Sequence, residues 1–199
     1  MKVLQFDNEE SWLEARRGRI TGTRLKDLVS TRGGKQKIGF YEILAERIAI
    51  PPSGENVMDR GKRLEDDAVQ RFIKETGKKV KTDLVIWCRE EDDNIAISPD
   101  GSIGKTEAVE CKCLSSARHL EALITKQIPS EYRHQALQYF IVNDKLKKLY
   151  FVFYDPRMPK DFFWIEMKRA DIKDEVDEYL KLERETLAEI SRLENELTF

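Results

Sequence analysis

Apolar and polar positions alternate along residues 94–97 and again along 108–114, with Pro99-Asp100-Gly101 between them. Alternation predicts strands, and Pro-Asp-Gly is turn chemistry. The second run puts Val109, Cys111 and Cys113 on one face and Glu110 with Lys112 on the other, because side chains two apart on a strand point the same way. A strand returning after the turn brings Asp100 close to the Glu110 face. Further strands are expected over 80–89, 148–154 and 162–168. Helical spacing predicts helices over 7–17, 24–30, 40–50, 64–76, 115–126, 129–142 and 171–197. Asn8 is placed to cap the first, and Gly77 to terminate the one ending at residue 76. This order predicts an α/β (α+β) architecture, a small mixed central β-sheet flanked by helices. The 199 residues suit a single domain, 1–199.

Composition narrows the classes. Lysine and arginine number 35 against 37 acids, a formal net charge of -2, so any nucleic-acid contact must come from local patches rather than a general basic coat. Cys88, Cys111 and Cys113 sit in apolar, strand-like company and read as reduced core residues of a cytoplasmic protein. A lone C-x-C lacks the ligands for a zinc site. No stretch approaches a transmembrane span and the start of the chain has no apolar signal region, so no membrane partner is expected.

Four groups of residues can carry chemistry. Asp100, Glu110 and Lys112 converge, and burying two carboxylates and an ammonium is costly unless a cation binds between them. Mg²⁺ suits, because it needs only one or two carboxylates beside waters and phosphate oxygens. The competing reading is an ordinary turn beside a solvated Glu-x-Lys face. Arg16-Arg17-Gly18-Arg19-Ile20-Thr21-Gly22-Thr23 offers charge, close backbone approach and free N–H donors to a phosphate, or is a loop with solvated arginines. Glu65 opens a helix, where it either complements the helix dipole or reaches a metal. Gln135 and Gln138, embedded among Ala136, Leu137, Phe140 and Ile141, form either a satisfied polar seam or donors near a reacting water. Residues 30–37 read as a basic loop. In the closing helix, Leu180, Leu187, Ile190 and Leu197 share a stripe that Glu183 and Glu194 interrupt, which argues against a coiled coil.

Six motifs in order then resemble a known family. They are Trp12-x₃-Arg16-x-Gly18-x-Ile20-Thr21, Gly61-Lys62-x₂-Glu65-x-Asp67-Ala68, Ser98-Pro99-Asp100-Gly101, Glu110-x-Lys112-Cys113, Gln135-x₂-Gln138-Tyr139 and Tyr154-Asp155-Pro156-Arg157-Met158. The chain resembles the bacteriophage lambda exonuclease and YqaJ-type viral recombinase family, within the PD-(D/E)xK nuclease superfamily, over nearly its whole length. The resemblance implies a restriction-endonuclease-like core and a Mg²⁺-dependent 5′→3′ exonuclease that degrades one strand of linear double-stranded DNA to mononucleotides. It implies Asp100, Glu110 and the Cys111 carbonyl as metal ligands, with Glu65 near a second ion. Two Mg²⁺ are expected, with Mn²⁺ able to substitute. Lys112 would orient or deprotonate the attacking water, and Gln135 would stand at the active site. Arg16, Thr23, Ser98 and Arg118 match the positions that hold the 5′-terminal phosphate. Met58 falls where the family places an apolar wedge, and it can equally be a plain surface methionine. A toroidal homotrimer, a phage single-strand annealing protein as partner, and the cytoplasm of a bacterial host complete the implied picture. The chain departs from the lambda pattern in three places: Thr23 replaces a serine, Arg60 a tryptophan, and no proline follows Cys113. Outside this reading stand a PD-(D/E)xK endonuclease and a non-catalytic DNA-end-binding protein.

Overall fold

Two small sheets carry the fold. The structure, a computed structural model, describes residues 1–28, 40, 43, 59–114, 116–156 and 158–197. Strands β1 (Lys2–Gln5), β2 (Val85–Cys88) and β3 (Ala96–Ile97) form an antiparallel sheet in the order β1-β2-β3. Strands β4 (Gly101–Ile103), β5 (Glu107–Lys112), β6 (Lys148–Tyr154) and β7 (Phe162–Lys168) form a mixed sheet in the order β4-β5-β6-β7. Within this sheet β5 and β6 run parallel and the other pairs antiparallel. A parallel pair needs a long crossover, and helices α4 (Ser116–Thr125) and α5 (Ser130–Val142) provide it. The mixed α+β architecture is as the sequence predicts, except that the expected single sheet is split in two.

The other helices are α1 (Glu9–Arg16), α2 (Leu25–Leu28), α3 (Asp59–Thr76) and α6 (Lys173–Leu197). Asn8 caps α1 as predicted, its side chain accepting the Ser11 N–H at 2.9 Å. Gly77 ends α3 with φ +67°, and its N–H donates to Ile73 at 2.8 Å. That left-handed turn favours glycine. The first helix of the crossover and the strands over 148–154 and 162–168 fall where the periodicity puts them. The strands expected over 80–89 and 94–97 are shorter, Val85–Cys88 and Ala96–Ile97, and β1 forms where the sequence pattern predicts no strand. Pro99-Asp100-Gly101 leads straight into β4 rather than closing a turn. Gly101 is needed there for space, since a Cβ would lie 2.5 Å from Val80 Cγ1. The expected helix over 40–50, the loop over 30–37 and Met58 lie outside the described residues, apart from Phe40 and Ile43, which are buried.

Helix α5 runs through the middle of the molecule, and every residue from Gln135 to Val142 is buried. Its neighbours include Ile20, Ile97, Phe151 and, from α6, Leu187 and Ile190. The opposite face of the mixed sheet, with Val109, Cys111, Tyr150 and Val152, is covered by Ala68, Val69 and Phe72 of α3. Strand alternation therefore sends Cys111 into one core and Glu110 toward α5. Glu110 itself is 1 % exposed.

Candidate active site

The register between β4 and β5 sets the site. Gly101 lies opposite Val109, the last paired rung. One step further, Asp100 reaches across the end of β4 and its Oδ2 accepts the Cys111 N–H at 2.7 Å. A residue's N–H and C=O point to the same edge of an extended strand, so the Cys111 carbonyl lies on the edge that Asp100 occupies. Among the described residues, Asp100 Oδ1 accepts no hydrogen bond.

Glu110 gathers the rest. Its Oε1 accepts from Lys112 Nζ at 2.5 Å and also from Gln135 Nε2, and its Oε2 accepts from the Tyr139 hydroxyl. Gln135 and Tyr139 are one turn apart on α5, so both reach the same carboxylate. The Lys112 ammonium also lies 5.7 Å from the centre of the Tyr132 ring. The two glutamines are thereby separated. Gln135 belongs to the Glu110 cluster, whereas Gln138 points away and donates to the Ile20 carbonyl at 3.2 Å. Tyr139 was not among the predicted site residues. Its spacing of four from Gln135 is the signal that could have found it.

The electrostatics follow from burial. Burial and the neighbouring Glu110 charge push the Asp100 carboxyl well above the usual carboxylate range, against the pull of Lys112. Burial alone would lower the Lys112 pKa, but Glu110 and Asp100 outweigh it and hold the group as an ammonium. Burial also raises the Cys113 thiol to about 12, with Glu65 adding to it. Glu65 acts on Asp100 and Lys112 as well, so α3 presents it toward the cluster.

Arg16 stands beside these acids. Its guanidinium lies 4.6 Å from the centre of the Trp12 ring, and the Trp12 indole N–H is fixed by the Val85 carbonyl at 3.2 Å. Burial lowers the Arg16 pKa, opposed by Glu110 and Asp100. Thr23 is exposed in the turn before α2. Ser98 Oγ is buried, with no hydrogen-bond partner among the described residues. The two loops meet at the preceding residues: a Cβ on Gly22 would lie 2.8 Å from Ile97 Cδ1 and 2.9 Å from Gln135 Cγ. Arg118 falls in the first turn of α4, and its side chain is outside what the structure describes, as is Met58.

Residues 11–145 match the YqaJ-like viral recombinase domain. The chain belongs to that family. LHK-Exo, an alkaline exonuclease from Laribacter hongkongensis, superposes with a TM-score of 0.78 at 27% identity, covering 94% of this chain and 97% of that one. Its complex with dAMP gives the same TM-score at 28% identity, with 94% and 97% covered. A phage-related exonuclease from Haemophilus somnus shares the fold at a TM-score of 0.60 and 13% identity, over 90% of this chain and 96% of that one. No curated protein shows significant similarity to the chain. Family and structural neighbours together mark the chain as a nuclease, with DNA as the implied substrate. No helix among the described residues is long and apolar enough to cross a membrane.

The family implies a metal, and the donor set fits a hard cation. Among the described residues no three or more His, Cys, Asp and Glu side chains are grouped closely enough to make a dedicated metal cage. What is present is oxygen: the Asp100 and Glu110 carboxylates and the Cys111 carbonyl. Burial first, and the Glu110 charge second, raise the Asp100 carboxyl, and a divalent ion bound there would offset both. Few protein oxygens, completed by water and phosphate, is the usual Mg²⁺ arrangement.

Proposed function

We propose that this nuclease is a Mg²⁺-dependent 5′→3′ exonuclease that removes mononucleotides from one strand of linear double-stranded DNA and leaves a 3′ overhang. The observation that carries the reading is the convergence of Asp100, Glu110 and Lys112 at one end of β5, with Arg16 and the orphaned Ser98 hydroxyl alongside. Asp100, Glu110 and the Cys111 carbonyl would hold one ion, and Glu65 would serve a second. Bound there, such ions supply Lewis-acid activation of a water and stabilise the departing oxygen.

The chain's own residues have separable tasks. Gln135 and Tyr139 fix the Glu110 carboxylate, so that its oxygens are oriented before substrate arrives. Lys112, held by Glu110 at 2.5 Å, would orient or deprotonate the attacking water. Arg16, Thr23, Ser98 and Arg118 would form the 5′-phosphate pocket, and Met58 would splay the terminal base pair. The dAMP in the LHK-Exo complex is a mononucleotide, the product class this reading requires. A homotrimeric ring around the duplex and a phage single-strand annealing protein as partner belong to the same proposal, as does a cytoplasmic setting in the bacterial host.

The test compares linear and covalently closed circular duplexes of one sequence, with 5′-phosphate or 5′-hydroxyl ends, in Mg²⁺ or EDTA. Loss of linear duplex alone, in Mg²⁺ alone, with mononucleotides from the 5′ strand, is the expected result. Cutting of the circle would replace it with an endonuclease. End binding without cleavage in any divalent ion would leave only a DNA-end-binding protein.

A further inference from the structure

Glu183 is the one acid of α6 that is completely buried, and it lies against Gln138 of α5, itself completely buried. The two N–H groups of Gln138 Nε2 face three acceptors, Glu183 Oε2 at 3.3 Å, the Ile20 carbonyl at 3.2 Å and the Ala96 carbonyl at 3.4 Å, so one N–H is shared between two of them. Two oxygens are left without a partner among the described residues, Gln138 Oε1 and Glu183 Oε1. An acceptor cannot satisfy an acceptor, but a single proton on the Glu183 carboxyl turns it into a donor toward the amide oxygen. The acid and the amide then satisfy each other reciprocally. Burial favours that neutral form and raises the Glu183 pKa to about 8, with Asp92 adding to the effect and Gln138 and Arg89 opposing it.

The place of the pair in the chain gives it a role. Ile20 and Ala96 are bonded to each other, the Ala96 N–H donating to the Ile20 carbonyl at 3.0 Å. From Ile20 the chain continues to Gly22 and Thr23, and from Ala96 to Ser98 and Asp100. The Gln138 amide therefore grips both loops at their roots, one turn of α5 away from the Gln135 that holds Glu110. An amide that flipped would present oxygen to two carbonyls and release both loops. We propose that Glu183 is a positioning residue: paired with Gln138 through one shared proton, it takes one amide N–H and fixes the amide so that the other, shared by the Ile20 and Ala96 carbonyls, holds the Thr23 and Asp100 loops against α5. This deepens the nuclease reading above and rests on it, because Asp100 and the phosphate pocket are what it positions.

The test uses the full chain at pH 7, reading amide hydrogen exchange over 19–24 and 95–100 together with cleavage of linear duplex. Glu183→Leu removes the pair at similar volume. Exchange in both segments should rise about tenfold, and kcat should fall about tenfold with little change in KM. Glu183→Gln supplies both a donor and an acceptor without a proton, and should stay within about twofold of the parent on both readouts. Should the leucine variant not fold, Gln138→Met serves in its place, with both segments loosened. The proposal is overturned if Glu183→Gln falls as far as Glu183→Leu, or if removing the pair leaves both segments protected. Absence of cleavage by the unmodified protein would sink the nuclease reading, while the exchange data would still decide the role of Glu183.

Discussion

The Tyr139 hydroxyl donates to Glu110 Oε2, on the opposite side of the carboxylate from the oxygen that Lys112 and Gln135 share. With Glu110 almost fully enclosed, these three donors satisfy a charge that water scarcely reaches. Removing one leaves buried carboxylate capacity unmet, at a cost of about 1–3 kcal/mol. Tyr139→Phe should therefore lower the unfolding free energy by roughly that amount and slow turnover by about tenfold, while leaving DNA affinity close to the parent's. Denaturant unfolding and single-turnover cleavage would check it. Unchanged turnover would make Tyr139 a core residue only.

Lys112 should behave differently. Its Nζ leans on Glu110 at 2.5 Å and is the cation nearest the acid pair. Lys112→Ala leaves Arg16 over Trp12 in place, so end binding should persist. Turnover should drop by about 10²-fold or more, the range for a lost general base. Binding measured by anisotropy on a 5′-phosphorylated duplex, beside cleavage of the same duplex, separates the two. Retained cleavage would remove Lys112 from the chemistry.

How much of this site the sequence discloses depends on how local each contact is. The Glu110–Lys112 pair follows from period-two alternation within one strand, and Asp100 from a register that begins one residue later. Both are readable because neighbours along the chain determine them. The split into two sheets is not, since β1 is four residues long and pairs in the register Lys2 with Cys88, a partner no local pattern names. Gln135 and Gln138 are both buried, and both stand among apolar residues. Only the packing of α5 against β5 on one side and α6 on the other tells which one meets Glu110. Glu183 was read as a break in an apolar stripe, and the stripe's last member, Leu197, is in fact 60% exposed. The buried acid at 183 is a polar contact made from the other side of the molecule.

Arg16 is predicted to read the 5′ end. Its guanidinium lies over Trp12, with Asp100 and Glu110 acting on it, and its fork of donors suits a terminal phosphate. Arg16→Ala should abolish the preference for 5′-phosphate over 5′-hydroxyl ends while the slow hydroxyl-end rate persists. An unchanged ratio of the two rates would take Arg16 out of the pocket.

Gly22→Ala tests the junction of the two loops. The added Cβ would lie 2.8 Å from Ile97 Cδ1, 2.9 Å from Gln135 Cγ and 3.3 Å from the Gln135 carbonyl. The backbone oxygen cannot step aside as a side chain can, so overpacking of about 1–3 kcal/mol is expected. The displaced Gln135 should also loosen Glu110, so turnover should fall further than DNA affinity. A stable, fully active Gly22→Ala protein would show that α5 yields easily at this point.

The pH dependence of stability follows from Glu183. In the unfolded chain this carboxyl ionises near the ordinary glutamate value of 4.5, whereas in the fold burial raises it to about 8. Between those values the folded protein keeps a proton that the unfolded chain has released, so stability falls as pH rises. Below 4.5 both states are protonated, and above 8 both are charged, so the slope from this residue vanishes at either end. One pKa unit is worth about 1.4 kcal/mol, and the whole effect comes to a few kcal/mol. Other carboxyls titrate too, and the comparison with Glu183→Gln isolates this one. The stability advantage of Glu183→Gln should widen steadily from pH 5 to 8 and then level off, as read from urea unfolding at each pH. A difference that stays flat across that range would mean that Glu183 is already charged in the folded protein, with Arg89 rather than a proton as its partner.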